Sequence, residues 1–173
     1  LCGFDESKPV LMVIGGSLGA SSVNKTVRDN LDALLQKFQI VHLCGKDKMD
    51  NLLLTRPGYR QFEYVKEDLK DLYAMADIVL SRAGANAICE LLALKKPNLL
   101  VPLPTGRGDQ KLNAASFEAQ GYSIVVQDDD LPDVILEKIS ELYEHRNQYI
   151  SAMEKSSQTD SNHLVLSLIE QEA

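Results

Sequence analysis

Short apolar runs rich in β-branched residues alternate with longer stretches of helical period along nearly the whole chain, and turn residues close each run. That alternation is the pattern of repeated strand–helix–strand units, which imposes parallel pairing because each strand re-enters the sheet in the direction of the one before. Strands are expected at 10–14, 40–43, 59–64, 78–80, 98–101 and 123–126. Helices are expected near 22–37, 47–54, 68–74, 85–94, 110–119 and 131–142, followed by a helical region at 144–156 and a last short helix at 161–169. Asp130 is placed to cap the helix at 131–142, with Pro132 in its first turn. The fold class is α/β, a parallel six-stranded sheet with helices on both faces. Such sheets bind ligands at the carboxyl ends of the strands, where the strand order reverses.

Composition narrows the partners. The chain has 173 residues, 45% apolar, enough to close one core without disulfide or metal staples. Its 18 Lys and Arg face 25 Asp and Glu, and the net charge of -7 repels a polyanion, so nucleic acid is not expected as a partner. No apolar run approaches the ~20 residues of a membrane span, and no basic-then-apolar leader opens the chain. Cys2, Cys44 and Cys89 lack Cys-x-x-Cys spacing, and His42, His145 and His163 lie far apart. Neither a disulfide framework nor a zinc site is indicated, and the setting expected is a reducing cytoplasm.

Three constellations fall at strand ends. The first strand runs into Gly15-Gly16-Ser17-Leu18-Gly19-Ala20, and Ser21 and Ser22 open a helix. Bare glycine amides and the positive end of a helix converge there, which suits a phosphate. Such a turn also serves tight packing alone. The dinucleotide fingerprint Gly-x-Gly-x-x-Gly fails, because Ser17 and Ala20 stand where glycines belong, and Leu43-Cys44-Gly45 offers no carboxylate to an adenosine ribose. The Walker pattern fails too, so a nicotinamide dinucleotide is disfavoured.

The fourth strand ends in Ser81-Arg82-Ala83-Gly84-Ala85-Asn86-Ala87 and continues as an almost wholly apolar helix in which Glu90 is the anomaly. Asn86 and Leu94, four residues to either side, give it no cation, and burying a carboxylate unpaired is costly. A ribose cis-diol fits, because one carboxylate accepts from two adjacent hydroxyls; solvent or a distant Lys or Arg fits as well. Arg82 faces either a phosphate or a surface salt bridge. After the fifth strand, Gln110 and Asn113 share a helix face, and amides that both donate and accept suit sugar hydroxyls. Asp109 reads equally as a plain N-cap. Asp128-Asp129-Asp130 has the Asp-x-Asp spacing of metal-bound nucleotide sugars, but it runs straight into a helix and is read as capping. His42, inside an apolar strand, is read as a packed core residue.

Together these three constellations resemble the donor-binding half of two-domain, GT-B type glycosyltransferases, in particular the bacterial peptidoglycan N-acetylglucosaminyltransferases. The resemblance runs from about Pro9 to the C-terminus. It implies a Rossmann-like sheet and one UDP-sugar-binding domain over residues 1–173, with 157–173 a helical appendage and the acceptor-binding N-terminal domain absent. It further implies inverting transfer of N-acetylglucosamine from UDP-N-acetylglucosamine to a lipid-linked muramoyl-pentapeptide, on the cytoplasmic face of the membrane, with no cofactor or metal. The general base is then expected in the missing domain. The same resemblance places Gly16, Ser17, Leu18 and Gly19 on the pyrophosphate and backbone near Val65 on uracil. Arg82, Gly84, Ala85 and Asn86 would line the phosphate and ribose, Glu90 would hold the ribose hydroxyls, and Gln110 and Asn113 would contact the sugar. Three alternatives stand beside it: a complete donor-binding subunit that joins a separate acceptor-binding partner, a non-catalytic UDP-sugar-binding module, and a UDP-N-acetylglucosamine epimerase.

Overall fold

The structure is a computed structural model that describes residues 2–15 and 20–156. Six strands, β1 (Val10–Ile14), β2 (Gln39–Leu43), β3 (Tyr59–Phe62), β4 (Ile78–Ser81), β5 (Asn98–Leu100) and β6 (Ser123–Val125), form one sheet in the order β3-β2-β1-β4-β5-β6. Every pair is parallel. All six expected strands are present, each with its ends within two residues of expectation.

The central strands are buried on both faces, which is why they read as apolar runs rather than alternating ones. Leu11 and Val13 of β1 face one layer, made of α1 (Ser21–Asp29), α2 (Leu31–Lys37) and α6 (Leu131–Glu144). Val10 and Met12 face the other, made of α3 (Leu69–Met75), α4 (Ala85–Ala93), α5 (Asp109–Ala119) and α7 (Arg146–Glu154). The crossover after β1 lies on one face, and those after β3, β4 and β5 lie on the other. The strand order therefore reverses between β1 and β4.

Two expected helices differ. The stretch at 22–37 is two helices, because the Asn30 side chain bonds the Thr26 carbonyl at 2.9 Å and so competes with the backbone ladder there. The stretch at 47–54 holds only a single 3-10 turn at Asn51–Leu53. The helix expected at 161–169 lies outside the described residues.

His42 is the packed core residue expected of it. It is fully buried, with Nδ1 2.8 Å from the Tyr59 hydroxyl and Nε2 2.8 Å from Asn24 Oδ1. The Asn24 amide nitrogen donates to the Cys44 carbonyl, which turns its oxygen toward the ring. The imidazole is thus neutral, donating from Nε2 and accepting at Nδ1. Burial, followed by the nearby Arg28 charge, holds its pKa down to about 3. The unfolded chain takes up a proton on this histidine near pH 6.5. The folded chain refuses that proton until about pH 3, so His42 withdraws stability as pH falls between those values. Stability lost between about pH 7 and about pH 4.5 should be smaller by about 2 to 3 kcal/mol in His42→Gln than in the wild type, measured by urea unfolding at both pH values.

Candidate functional site

The adjacent carboxyl ends of β1, β4 and β5 feed α1, α4 and α5. The turn after β1 holds Gly16, Ser17, Leu18 and Gly19, which lie outside the described residues. Its far end is fixed, however, because Ala20, the extended residue just before α1, is buried against the core.

Gly84 precedes α4 with φ -65 and ψ 148, and no side chain caps that end. The first intrahelical bond runs from Ile88 N–H to the Gly84 carbonyl at 3.0 Å. The N–H groups of Ala85, Asn86 and Ala87 therefore have no partner within the helix, and Ala85 and Asn86 are exposed. Such an end presents donors and a positive dipole to an anion. Gly84 is not demanded by its own backbone, which any residue adopts. A Cβ there would stand 3.9 Å from the Gln110 amide nitrogen, an ordinary contact, so the fold itself would accept alanine at this position.

Gln110 and Asn113, expected on the sugar, are both half-committed to the fold. Gln110 Oε1 accepts from the N–H of Ala83 at 3.3 Å and of Leu103 at 3.0 Å, and the Asn113 amide nitrogen donates to the Ala83 carbonyl at 3.1 Å. These bonds tie the turn after β4 to α5. They also fix polarity, since what remains is the Gln110 amide N–H pair as donor and the Asn113 Oδ1 as acceptor. The helix that carries them starts after Gly108, whose φ of 84 is a left-handed value that favours glycine.

Glu90, one and a half turns into α4, is half-buried and accepts from the Tyr73 hydroxyl of α3 at 3.2 Å. None of the ion pairs among the described residues includes it. Burial pushes its carboxyl above the usual range, and the Tyr73 hydrogen bond pulls it part of the way back. The Tyr73 phenol is raised in turn, by burial first and then by the Glu90 charge. The distant cation considered above is thus replaced by a neutral hydroxyl. Val65 lies half-buried in the connection from β3 to α3, in a cleft of about 420 Å³ that Phe62 and Tyr64 also line.

Of the two partners expected for Arg82, a phosphate or a surface salt bridge, the structure shows an ion pair, and a buried one rather than a surface one. Arg82 is 8% exposed and pairs with Asp128, while its other terminal nitrogen donates to Ser22 Oγ at 2.9 Å. The Val101 and Pro102 carbonyls accept from it at 3.2 and 3.4 Å, and Ser22 Oγ donates to Asp128 at 2.9 Å. The two terminal nitrogens of the guanidinium join α1, the end of β4 and the connection before α6, while its buried Nε has no partner among the described residues. This also revises the acidic triplet, because Asp128 is a buried counterion and Asp130, in αR backbone at the start of α6, makes no side-chain cap bond. Among the described residues no three His, Cys, Asp or Glu side chains converge as metal ligands. Sequence reasoning missed Tyr73 and Asp128. Tyr73 carried one signal, a phenol on the apolar side of a short helix whose hydroxyl needs a partner.

The chain belongs to glycosyltransferase family 28, whose C-terminal domain it matches over residues 10–167. It is similar to two curated transferases named for moving N-acetylglucosamine to N-acetylmuramyl-(pentapeptide) pyrophosphoryl-undecaprenol. That of Lachnospira eligens is 56% identical over 172 residues, 98% of this chain and 49% of the relative. That of Clostridium botulinum is 57% identical over 159 residues, 90% of this chain and 45% of the relative. The chain thus spans about half the length of the curated relatives it matches. Among solved structures, Acinetobacter baumannii MurG shares the fold with a TM-score of 0.74 at 22% identity, over 97% of this chain and 51% of that one. The glycosyltransferase VinC, solved with dTDP, shares it with a TM-score of 0.69 at 18% identity, over 95% of this chain and 42% of that one. Those likenesses establish the Rossmann-like architecture of the GT-B type.

Removing Asp128 leaves Arg82 charged and unpaired among groups that exclude water, so Asp128→Ala should cost about 3 kcal/mol or more of unfolding free energy. The exposed neighbour makes the control: Asp129→Ala should stay within about 0.5 kcal/mol, both read from denaturant midpoints.

Proposed function

We propose that this chain binds the donor of an inverting N-acetylglucosaminyltransferase that acts on UDP-N-acetylglucosamine and a lipid-linked muramoyl-pentapeptide. The observation that carries the reading is Glu90: a half-buried carboxylate that pairs with no cation among the described residues, set behind the uncapped start of α4 at the reversal of strand order. A ligand with a diol and a phosphate a few ångströms apart satisfies both. The names of relatives more than half identical to this chain support the choice of sugar nucleotide and acceptor.

In this reading Glu90 accepts from the two ribose hydroxyls. The amides at the start of α4 and in the turn after β1 meet the pyrophosphate, and the cleft at Val65 takes the uracil. The Gln110 N–H pair and the Asn113 carbonyl contact the sugar. The acceptor hydroxyl attacks the anomeric carbon, the bond to the phosphate oxygen breaks, and UDP leaves with the electron pair. Helix-end amides aimed at the pyrophosphate stabilise the charge that grows there, in place of a metal ion. The acceptor surface and the base that takes the hydroxyl proton are assigned to the part of the relatives that this match does not span. No helix among the described residues is long and apolar enough to cross a membrane. In this reading a lipid-linked acceptor and a nucleotide-sugar donor bring the working enzyme to the cytoplasmic face of the membrane.

Titration calorimetry tests the donor assignment. UDP and UDP-N-acetylglucosamine should bind equally well with and without chelator, and ADP should bind far more weakly. A strict magnesium requirement or equal binding of ADP would sink the reading. Glu90→Gln keeps the shape but removes the charge, and should weaken UDP binding about 10- to 150-fold with little change in melting temperature without ligand. Unchanged affinity would remove Glu90 from the site.

A further inference from the structure

Tyr73 has no place in the donor contacts assigned above, yet it makes the single described hydrogen bond to the side chain on which that assignment turns. We propose that Tyr73 is a positioning residue for Glu90, its hydroxyl fixing one carboxylate oxygen so that the other is presented to the hydroxyls of the bound nucleotide. The proposal rests on the reading of Glu90 as the ribose contact.

The geometry supports it in three ways. The Tyr73 ring is 3% exposed and packed in the same core layer as Leu72, Ala76 and Leu91, so its hydroxyl is held at a fixed point. Glu90 by contrast ends in a broad, nearly two-fold torsion, and without an anchor the carboxylate plane turns freely. A cis-diol needs that plane set, because both hydroxyls must point at lone pairs of one group. The bond at Oε2 sets it while leaving Oε1 open.

A phenol also differs from the lysine or arginine that usually accompanies a buried carboxylate. A cation would neutralise Glu90 and compete with the ligand for it. The neutral hydroxyl donates one proton and leaves the negative charge to strengthen bonds from the ribose. It also opposes the burial that favours the protonated acid, and so holds the carboxyl lower than burial alone would set it. Loss of the hydroxyl should therefore raise the carboxyl further. UDP affinity needs the carboxylate and is lost as pH falls through that value, so the acid limb should move to higher pH.

The test compares UDP with its dideoxy analogue, which lacks both ribose hydroxyls, by calorimetry across the acid range on the wild type and Tyr73→Phe. The expected result is that the wild type prefers UDP. Tyr73→Phe should lose about tenfold in UDP affinity, bind the analogue unchanged, and show its acid limb at higher pH. A variant that keeps the full preference and the same limb overturns the proposal and leaves the ribose reading intact. A wild type that binds both ligands equally overturns the ribose reading, and the proposal with it. If Tyr73→Phe does not fold, the wild type answers through the Tyr73 hydroxyl proton in the UDP complex, followed by NMR. Slow exchange is expected while the bond to Glu90 persists, and fast exchange there overturns the proposal.

Discussion

The pairing of β4 against β1 is what makes a site out of this sheet. The first crossover covers one face and carries the chain outward to β2, a further connection reaches β3, and the return through α3 on the opposite face lays β4 along the other edge of β1. Two neighbouring parallel strands then send their following turns to opposite sides, and a crevice opens between them at their carboxyl ends. The apolar sequence of β1 holds this arrangement in place. A strand with apolar side chains on both faces and parallel partners on both edges sits in the middle of the sheet, where both helix layers pack against it.

Polar side chains, more than bare glycines, hold the turns around that crevice. Arg82 reaches Asp128 across 46 residues and Ser22 across 60, which ties the helix behind the Gly-rich turn to the end of β4. Both polar groups of the Ala83 peptide are taken by Gln110 and Asn113, which ties the same strand end to α5. Each bond costs desolvation and side-chain entropy, and a buried ion pair adds little net stability. What such bonds supply is position. Helix ends held by several long-range contacts can stabilise developing charge without rearranging at the moment of reaction.

Much of this was legible in the sequence, and the failures share one cause. Strands were legible because double burial writes itself as short apolar runs, and Glu90 was legible because a carboxylate on an apolar helix has no local partner. Asn30 escaped because a side chain that bonds the carbonyl four residues back does not disturb hydrophobic periodicity. The counterion of Arg82 escaped because Asp128 sits 46 residues away in a triplet that local reasoning reads as a cap. Tyr73 and Glu90 lie on different helices, and no periodicity links them. Local chemistry predicts which residues need partners, and tertiary packing decides which partners they get.

The placement of Glu90 along α4 resolves an apparent conflict in the proposed reading, in which a carboxylate and a diphosphate share one site. At 1.5 Å per residue, Glu90 lies about 7.5 Å along the helix from Ala85, so the two negative groups are held well beyond contact distance and their repulsion falls with that separation. The favourable field of the helix end also fades within a turn, so it acts on the phosphates and leaves Glu90 to be governed by burial and Tyr73. One helix thereby offers two chemically opposite ends of a ruler: amide donors where an anion lands, and an acceptor carboxylate deeper in, where hydroxyls do. A ligand with its phosphate and diol at another spacing cannot satisfy both, so the helix measures distance as well as charge.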